Sequence, residues 1–125
     1  MLSRTASDLY WMSRYLERAE NLARMLDVSY SLSLMPQDGR GDGLEELAMP
    51  LLITGNLDAY LARHGELHAE RLLNFFALDA QNPTSIYSCF GAARAGAHAV
   101  RGRITTDMWE SMNATWLEMR DIAHQ

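Results

Sequence analysis

Arginine and glutamate side chains recur at helical contact spacing in the first part of the chain. Arg14 lies three residues before Glu17, and Glu20 lies four residues before Arg24, with Arg18 between the two pairs. Carboxylates close to arginines can hold the amine and carboxylate ends of a peptide, and a carboxylate removed from water can act as a general base. The alternative is a set of surface ion pairs, each worth about 0–1 kcal/mol.

A second basic row lies later in the chain, where Arg94, His98 and Arg101 follow each other at i, i+4 and i+7. If the two segments pack together, both rows flank one interface and can form a charged network. The sequence therefore proposes one candidate functional cluster. Its members are Arg14, Glu17, Arg18, Glu20, Arg94, Arg101 and Glu110.

Two histidines have the spacing of metal ligands, because His64 and His68 are four residues apart with glutamates between them. Gly65 predicts that a helix ends between them, so that they need not share a face. The residue that follows His64 is also not the glutamate of the zinc-hydrolase pattern. We expect two solvated histidines at a helix junction, with no bound metal and no cofactor.

The first charged set lies on a predicted helix over residues 9–30. Apolar residues alternate there at spacings of three and four, which is typical of one buried helix face. They are Leu9, Met12, Leu16, Ala19, Ala23, Leu26 and Tyr30. Ser7 or Asp8 is expected to cap the helix, and Pro36 requires it to end in the low thirties.

The second basic row lies on another predicted helix, which Asn82 and Pro83 are expected to open as cap and first helical residue. Its apolar face is also regularly spaced. The face comprises Ile86, Phe90, Ala93, Ala97, Val100 and Ile104. Because many neighbouring residues are alanine or glycine, another helix can approach closely, and the 9–30 helix is the expected neighbour.

Four further helices complete the predicted fold, and residues 36–43 are expected to form a flexible loop because of their glycines and proline. The helices are a 44–53 segment that Pro50 bends or shortens, a 57–64 segment capped by Asn56, a 67–78 segment, and a last one capped by Thr105, Thr106 or Asp107. No segment has the pattern of a strand. The sequence predicts an all-α antiparallel bundle of five or six helices.

The 125 residues correspond to one domain. A net charge of -5 argues against nucleic-acid binding, which requires a basic surface. Cys89 is the single cysteine, so an internal disulfide is impossible, and it is expected to be a small buried apolar residue. The absence of a secretory segment or a bilayer-length apolar run predicts a cytoplasmic protein that does not bind membranes.

Several stretches together resemble the bacterial alpha-E family. They are residues 1–6, 11–21, 82–86, 92–94, 100–101 and 106–113. The resemblance implies a helical fold and a Glu-Arg motif, which corresponds here to Glu17-Arg18. Members usually have Arg-Glu-Asn-Ala where this chain has Arg94-Ala95-Gly96-Ala97. They are also commonly about twice as long and in tandem arrangement, so this chain resembles an N-terminal portion.

The resemblance also implies a setting, because the family's gene neighbours point to a peptide synthesis or modification system. Those neighbours include circularly permuted ATP-grasp ligases and transglutaminase-like proteins. We therefore expect a non-catalytic helical module that docks such a partner or presents its substrate. Two alternatives stay open: a ligand-binding or catalytic domain that uses the Glu-Arg cluster, and a purely structural module. A homodimer is a further expectation, because a seam without its second half favours self-association.

Overall fold

Six α-helices and no strand occupy the part of the chain that the structure describes, residues 3–35 and 43–124 of a computed structural model. The helices are α1 (Ser3–Ser33), α2 (Leu44–Thr54), α3 (Leu57–His64), α4 (Ala69–Ala77), α5 (Ile86–Ala99) and α6 (Thr106–Ala123), with a 3-10 turn at Arg101–Arg103 before α6. The predicted all-α bundle is confirmed. Within these ranges no helix combines the length and apolarity needed to cross a bilayer.

Helix α1 is longer at its start than predicted. It begins at Ser3, so Ser7 and Asp8 lie inside the helix, and the predicted cap there is wrong. Its end at Ser33 is as expected. The buried face also differs from the predicted one. It consists of Met12, Ala19, Leu22, Leu26 and Ser29, whereas Ala23 and Tyr30 are exposed.

The buried face of α1 changes direction along the helix, because the two halves of α1 contact different helices. Met12, in the first half, packs in a cluster with Ala93 and Ala97 of α5. Leu22 and Leu26, in the second half, pack in a separate cluster on α2, α3 and α4. The buried partners there are Leu47, Ala48, Leu51, Tyr60, Leu72, Phe75 and Phe76. A single straight apolar face on α1 would contact only one of these two clusters.

Helix α1 packs most extensively against α5, as the small residues of α5 predicted. Gly96 faces Met12, since a Cβ at Gly96 would lie 3.3 Å from the Met12 Cβ. At the other end of the pair, Ile86 packs against the cluster that contains Leu22 and Leu26. The two helices are therefore antiparallel, and Ala93 and Ala97 between them are fully buried.

The start of α5 differs from the prediction. Ser85 is the cap, since its Oγ accepts a hydrogen bond from the Ser88 N–H at 3.0 Å. The buried Asn82 instead donates its amide Nδ2 to the Phe75 carbonyl at 2.8 Å, and its Oδ1 accepts from the Thr84 N–H at 3.1 Å. The Asn82 amide thus ties the α4–α5 turn to the end of α4, which local sequence cannot reveal.

Other helix ends are mixed in outcome. Asn56 stands at the N-cap position of α3, but its side chain makes no capping hydrogen bond. Thr105 caps α6 by accepting from the Met108 N–H at 3.1 Å, which selects one of the three predicted caps. Helix α4 begins at Ala69, two residues later than predicted. Helix α2 continues past Pro50 to Thr54, so the proline does not shorten it.

The predicted flexible loop over 36–43 lies outside the described residues except for Gly43, which precedes α2. Gly43 is buried and has φ +81, a conformation that L side chains rarely adopt. A Cβ at Gly43 would lie 2.2 Å from the Ser33 carbonyl oxygen. Only glycine therefore lets the start of α2 approach the end of α1 this closely.

Candidate functional site

The Glu17-Arg18 pair points its two side chains at different partners. The Glu17 Oε2 atom accepts a hydrogen bond from Arg14 Nη1 at 2.9 Å, and both side chains are about half exposed. The Arg18 guanidinium carbon lies 5.3 Å from the centre of the Tyr15 ring and 6.0 Å from that of Trp11. The pair is thus a surface ion pair on one side and a cation–π contact on the other.

Glu20 belongs to a separate surface ion pair. Its Oε1 accepts from Arg24 Nη2 at 2.5 Å, and the two side chains are 58% and 74% exposed. Because both groups remain in water, the attraction between them is screened. Within the described residues, no ion pair joins Glu20 to the Arg18 guanidinium.

Arg18 borders a cleft of about 290 Å³ whose walls are formed by three helices and one turn. Helix α1 supplies one wall, the end of α2 a second, and the α4–α5 turn with the start of α5 a third. The described lining residues are Arg18, Asn21, Leu22, Met25, Thr54, Pro83, Thr84 and Cys89. This "Arg18 cleft" is the concave feature in which a residue of the Glu-Arg motif takes part.

The threonines of the Arg18 cleft are fixed by an internal hydrogen-bond chain. The Thr54 hydroxyl donates to the Pro50 carbonyl at 2.7 Å, and the Thr84 hydroxyl donates to Asn82 Oδ1 at 2.8 Å. The Asn56 amide Nδ2 donates to both hydroxyl oxygens, at 2.7 Å and 3.1 Å. These hydrogen bonds restrain the wall, and both hydroxyl protons are already donated. Arg18 and Asn21 are the donor side chains that face the cleft without such commitments among the described residues.

Cys89 forms an apolar part of the cleft wall. It is 4% exposed, and its Sγ lies 3.9 Å from the Pro83 carbonyl oxygen. Burial raises the pKa of the Cys89 thiol, while the positive charge of Arg18 lowers that pKa in part. The thiol is therefore neutral at pH 7, and the prediction of a small buried residue is confirmed.

The second basic row packs around Trp109, which was not among the predicted site residues. The Trp109 ring centre lies 5.6 Å from the Arg94 guanidinium carbon, 5.1 Å from that of Arg101 and 5.4 Å from the His98 ring centre. Arg94 Nε also donates to Asn113 Oδ1 at 3.0 Å. We call these five residues the Trp109 surface. Trp109 follows the α6 cap, and that position could not be linked to α5 from spacing alone.

The expected charged network across α1 and α5 is thus divided into separate groups. Arg14 and Glu17 pair with each other, Glu20 pairs with Arg24, and Arg18 borders the cleft. Arg94 of α5 and Arg101 of the 3-10 turn contact Trp109. Glu110 is exposed on α6 and takes part in none of the ion pairs found within the described ranges.

The two histidines occupy different environments. Gly65 ends α3 as predicted, and the exposed His68 precedes α4. His64, in contrast, is half-buried against the rings of Tyr60 and Phe75, at centre distances of 4.9 Å and 6.4 Å. The prediction of two solvated histidines is therefore wrong for His64. Over residues 3–35 and 43–124 no group of three potential metal ligands is found.

Comparison with known proteins places this fold and its motif in context. Residues 1–125 match the Alpha-E family, described as a predicted alpha-helical domain with a conserved ER motif. The sequence is also 30% identical, over 119 residues, to the uncharacterized proteins Rv2567 and MT2643 of Mycobacterium tuberculosis and Mb2597 of Mycobacterium bovis. These alignments cover 85% of this chain but 13% of each relative. No solved structure matches.

Proposed function

This chain belongs to the Alpha-E family, and we propose that it is a non-catalytic docking module of a bacterial peptide synthesis or modification system. The proposed partner is a circularly permuted ATP-grasp ligase, a transglutaminase-like protein or both, in the cytoplasm. The family resemblance suggests these partners. The observation that carries the docking role is the Trp109 surface, where a tryptophan and two arginines contact one another.

Tryptophan and arginine are the residue types that most often dominate binding energy at protein interfaces. Trp109 is half-buried, and two guanidinium groups stack on it, one of them also fixed by Asn113. Because these contacts restrain the two long side chains, Arg94 and Arg101 would lose less side-chain entropy when a partner binds. The positive charges of Arg94 and Arg101 favour a partner surface that is acidic.

The length of the relatives also supports an accessory role. In the three mycobacterial proteins the aligned segment is 13% of the chain. A segment of this kind is therefore covalently joined there to a much longer polypeptide. Covalent linkage keeps the aligned segment close to the rest of each relative. Docking would keep this domain close to its partner by association.

Co-purification with a circularly permuted ATP-grasp ligase from the source organism tests the proposal. Arg101→Gln removes a stacked guanidinium, and Arg103→Gln removes a charge from the same exposed turn without touching Trp109. We expect Arg101→Gln and Trp109→Ala to weaken binding by about 30-fold, the effect of losing an interface hot spot. Arg103→Gln should bind as the unmodified protein does.

Two results would contradict the docking role. One is failure of the unmodified protein to bind either the ligase or the transglutaminase-like protein when both are purified. The other is that Trp109→Ala and Arg101→Gln, both shown by circular dichroism to be folded, bind as tightly as the unmodified protein.

A further inference from the structure

The Arg18 cleft carries an unneutralised positive charge. Among the described residues that line it, Arg18 is charged and none is acidic. Arg18 makes no ion pair within residues 3–35 and 43–124, since the adjacent Glu17 is bound to Arg14. A guanidinium in this setting attracts an anion into the cleft.

The donors of the cleft suit a planar anion. The Tyr15 and Trp11 rings hold the Arg18 guanidinium, whose paired N–H groups match the two oxygens of a carboxylate. Asn21 lies one helical turn further along the same wall, and its amide can donate one more hydrogen bond. The threonine hydroxyl protons are committed elsewhere, so the anion site is confined to the α1 side.

The rest of the cleft is apolar and small. Leu22, Met25, Pro83 and the neutral thiol of Cys89 line it. Its volume of about 290 Å³ is just below the range of small-ligand sites, about 300–1,000 Å³. It has room for one apolar side chain beside the anion.

We propose that the Arg18 cleft binds a carboxylate that carries an adjacent apolar side chain. This is the chemistry of a peptide C-terminus that ends in an apolar residue, and equally of a free apolar amino acid. The carboxylate pairs with Arg18 and Asn21, and the side chain contacts Leu22, Met25 and Pro83. The inference is independent of the docking role, because none of these residues belongs to the Trp109 surface.

The peptide glycyl-glycyl-leucine, its C-terminal amide, free leucine and inorganic phosphate are the probes. Titration is followed by the backbone amide resonances of Asn21, Thr84 and Cys89. We expect the acid to bind and the amide to bind about 10- to 100-fold more weakly, as expected for the loss of charge-assisted hydrogen bonds. If free leucine binds as tightly as the tripeptide acid, the ligand is an amino acid. If only the tripeptide binds, it is a peptide end.

Variants separate specific binding from general attraction. Arg18→Gln removes the guanidinium, and the nearly isosteric Asn21→Asp places a competing carboxylate beside it on an exposed position. Both substitutions should weaken binding of the tripeptide acid about 10- to 100-fold. Arg24→Gln is the matched control, because it removes another exposed α1 arginine that lies outside the cleft.

Three outcomes would overturn the inference. These are equal binding of acid and amide, binding of phosphate as tight as that of the tripeptide acid, and equal binding by Asn21→Asp and the unmodified protein. Asn21→Asp keeps the test decisive if Arg18→Gln does not fold. A failed interaction with the ligase would leave all of these results unaffected.

Discussion

Gly91 of α5 lies directly against the indole ring of Trp116 on α6. A Cβ at position 91 would be 2.8 Å from the ring carbon Cζ3 and 2.9 Å from Cη2. The ring is itself stacked on Tyr87, with ring centres 4.7 Å apart, so it cannot move aside freely. The absence of a side chain at Gly91 is therefore what lets α6 approach α5.

Gly91→Ala should destabilise the protein. Overpacking costs about 1–3 kcal/mol, which exceeds the gain of about 1 kcal/mol in helix propensity. Urea unfolding measures the difference. Gly102→Ala is the control, since a Cβ there meets nothing within 4 Å, and it should leave the midpoint nearly unchanged. A more stable Gly91→Ala variant would show that α6 does not pack on α5 as described.

Tyr60→Phe should cost about 1–3 kcal/mol of unfolding free energy, because it removes two hydrogen bonds that are each worth about 0.5–1.5 kcal/mol. The fully buried Tyr60 hydroxyl donates to the Glu66 carbonyl at 3.0 Å and accepts from the His68 N–H at 3.2 Å. It therefore holds the α3–α4 turn. Tyr30→Phe, at a residue 45% exposed, should change stability little, and thermal melting of both variants compares the two.

Glu17→Gln should change the unfolding free energy by less than about 1 kcal/mol. The Glu17–Arg14 pair is half exposed, so solvent screens it. Binding of the tripeptide acid should also persist, whereas Arg18→Gln should abolish most of it. If Glu17→Gln instead melts far below the unmodified protein and keeps its partner, the Glu-Arg motif is a structural clasp between helices.

The free energy of unfolding should fall as the pH rises above about 9. The folded-state pKa of Cys89 is raised above its ordinary value of 9.0 by burial, so the unfolded chain loses this proton first and is favoured. Cys89→Ala should remove this contribution, which urea unfolding at a series of pH values can measure. Arg18→Gln should raise the pKa further, because the Arg18 charge favours the thiolate. An unchanged slope in Cys89→Ala would contradict the assignment.

Self-association of this chain is a proposal that sedimentation at several concentrations can test. Met49, Leu52 and Ile53 of α2 are 46%, 60% and 61% exposed, an apolar area that a second copy could cover. If a dimer forms through α2, Leu52→Glu should return it to a monomer that circular dichroism shows to be folded. A monomer at all concentrations would dismiss the dimer.

The sequence predicted the elements of this fold better than their ends. Helical periodicity is a local property, and the alanines of α5 indicated its packing on α1 because close approach requires small residues. Cap positions were less predictable where a side chain had a distant partner. Asn82 is the example: its amide is used by the Phe75 carbonyl, seven residues away and across a turn.

The candidate site could be predicted only in part. Arg18 stood out through the motif, but the residues that surround it come from the end of α2, the α4–α5 turn and α5. Their meeting depends on tertiary packing that spacing does not encode. Trp109 was missed as a site residue for the same reason, although its aromatic type at the start of α6 was visible.

Helix α6 has one buried residue, Met112, and packs mainly against α5. Few buried contacts mean a low free energy of local opening, so the amide hydrogens of α6 should exchange with solvent before those of α1 and α5. Trp109 lies on this helix. A partner that binds Trp109 would suppress local opening of α6. Slower amide exchange along α6 would then show that the Trp109 surface is occupied.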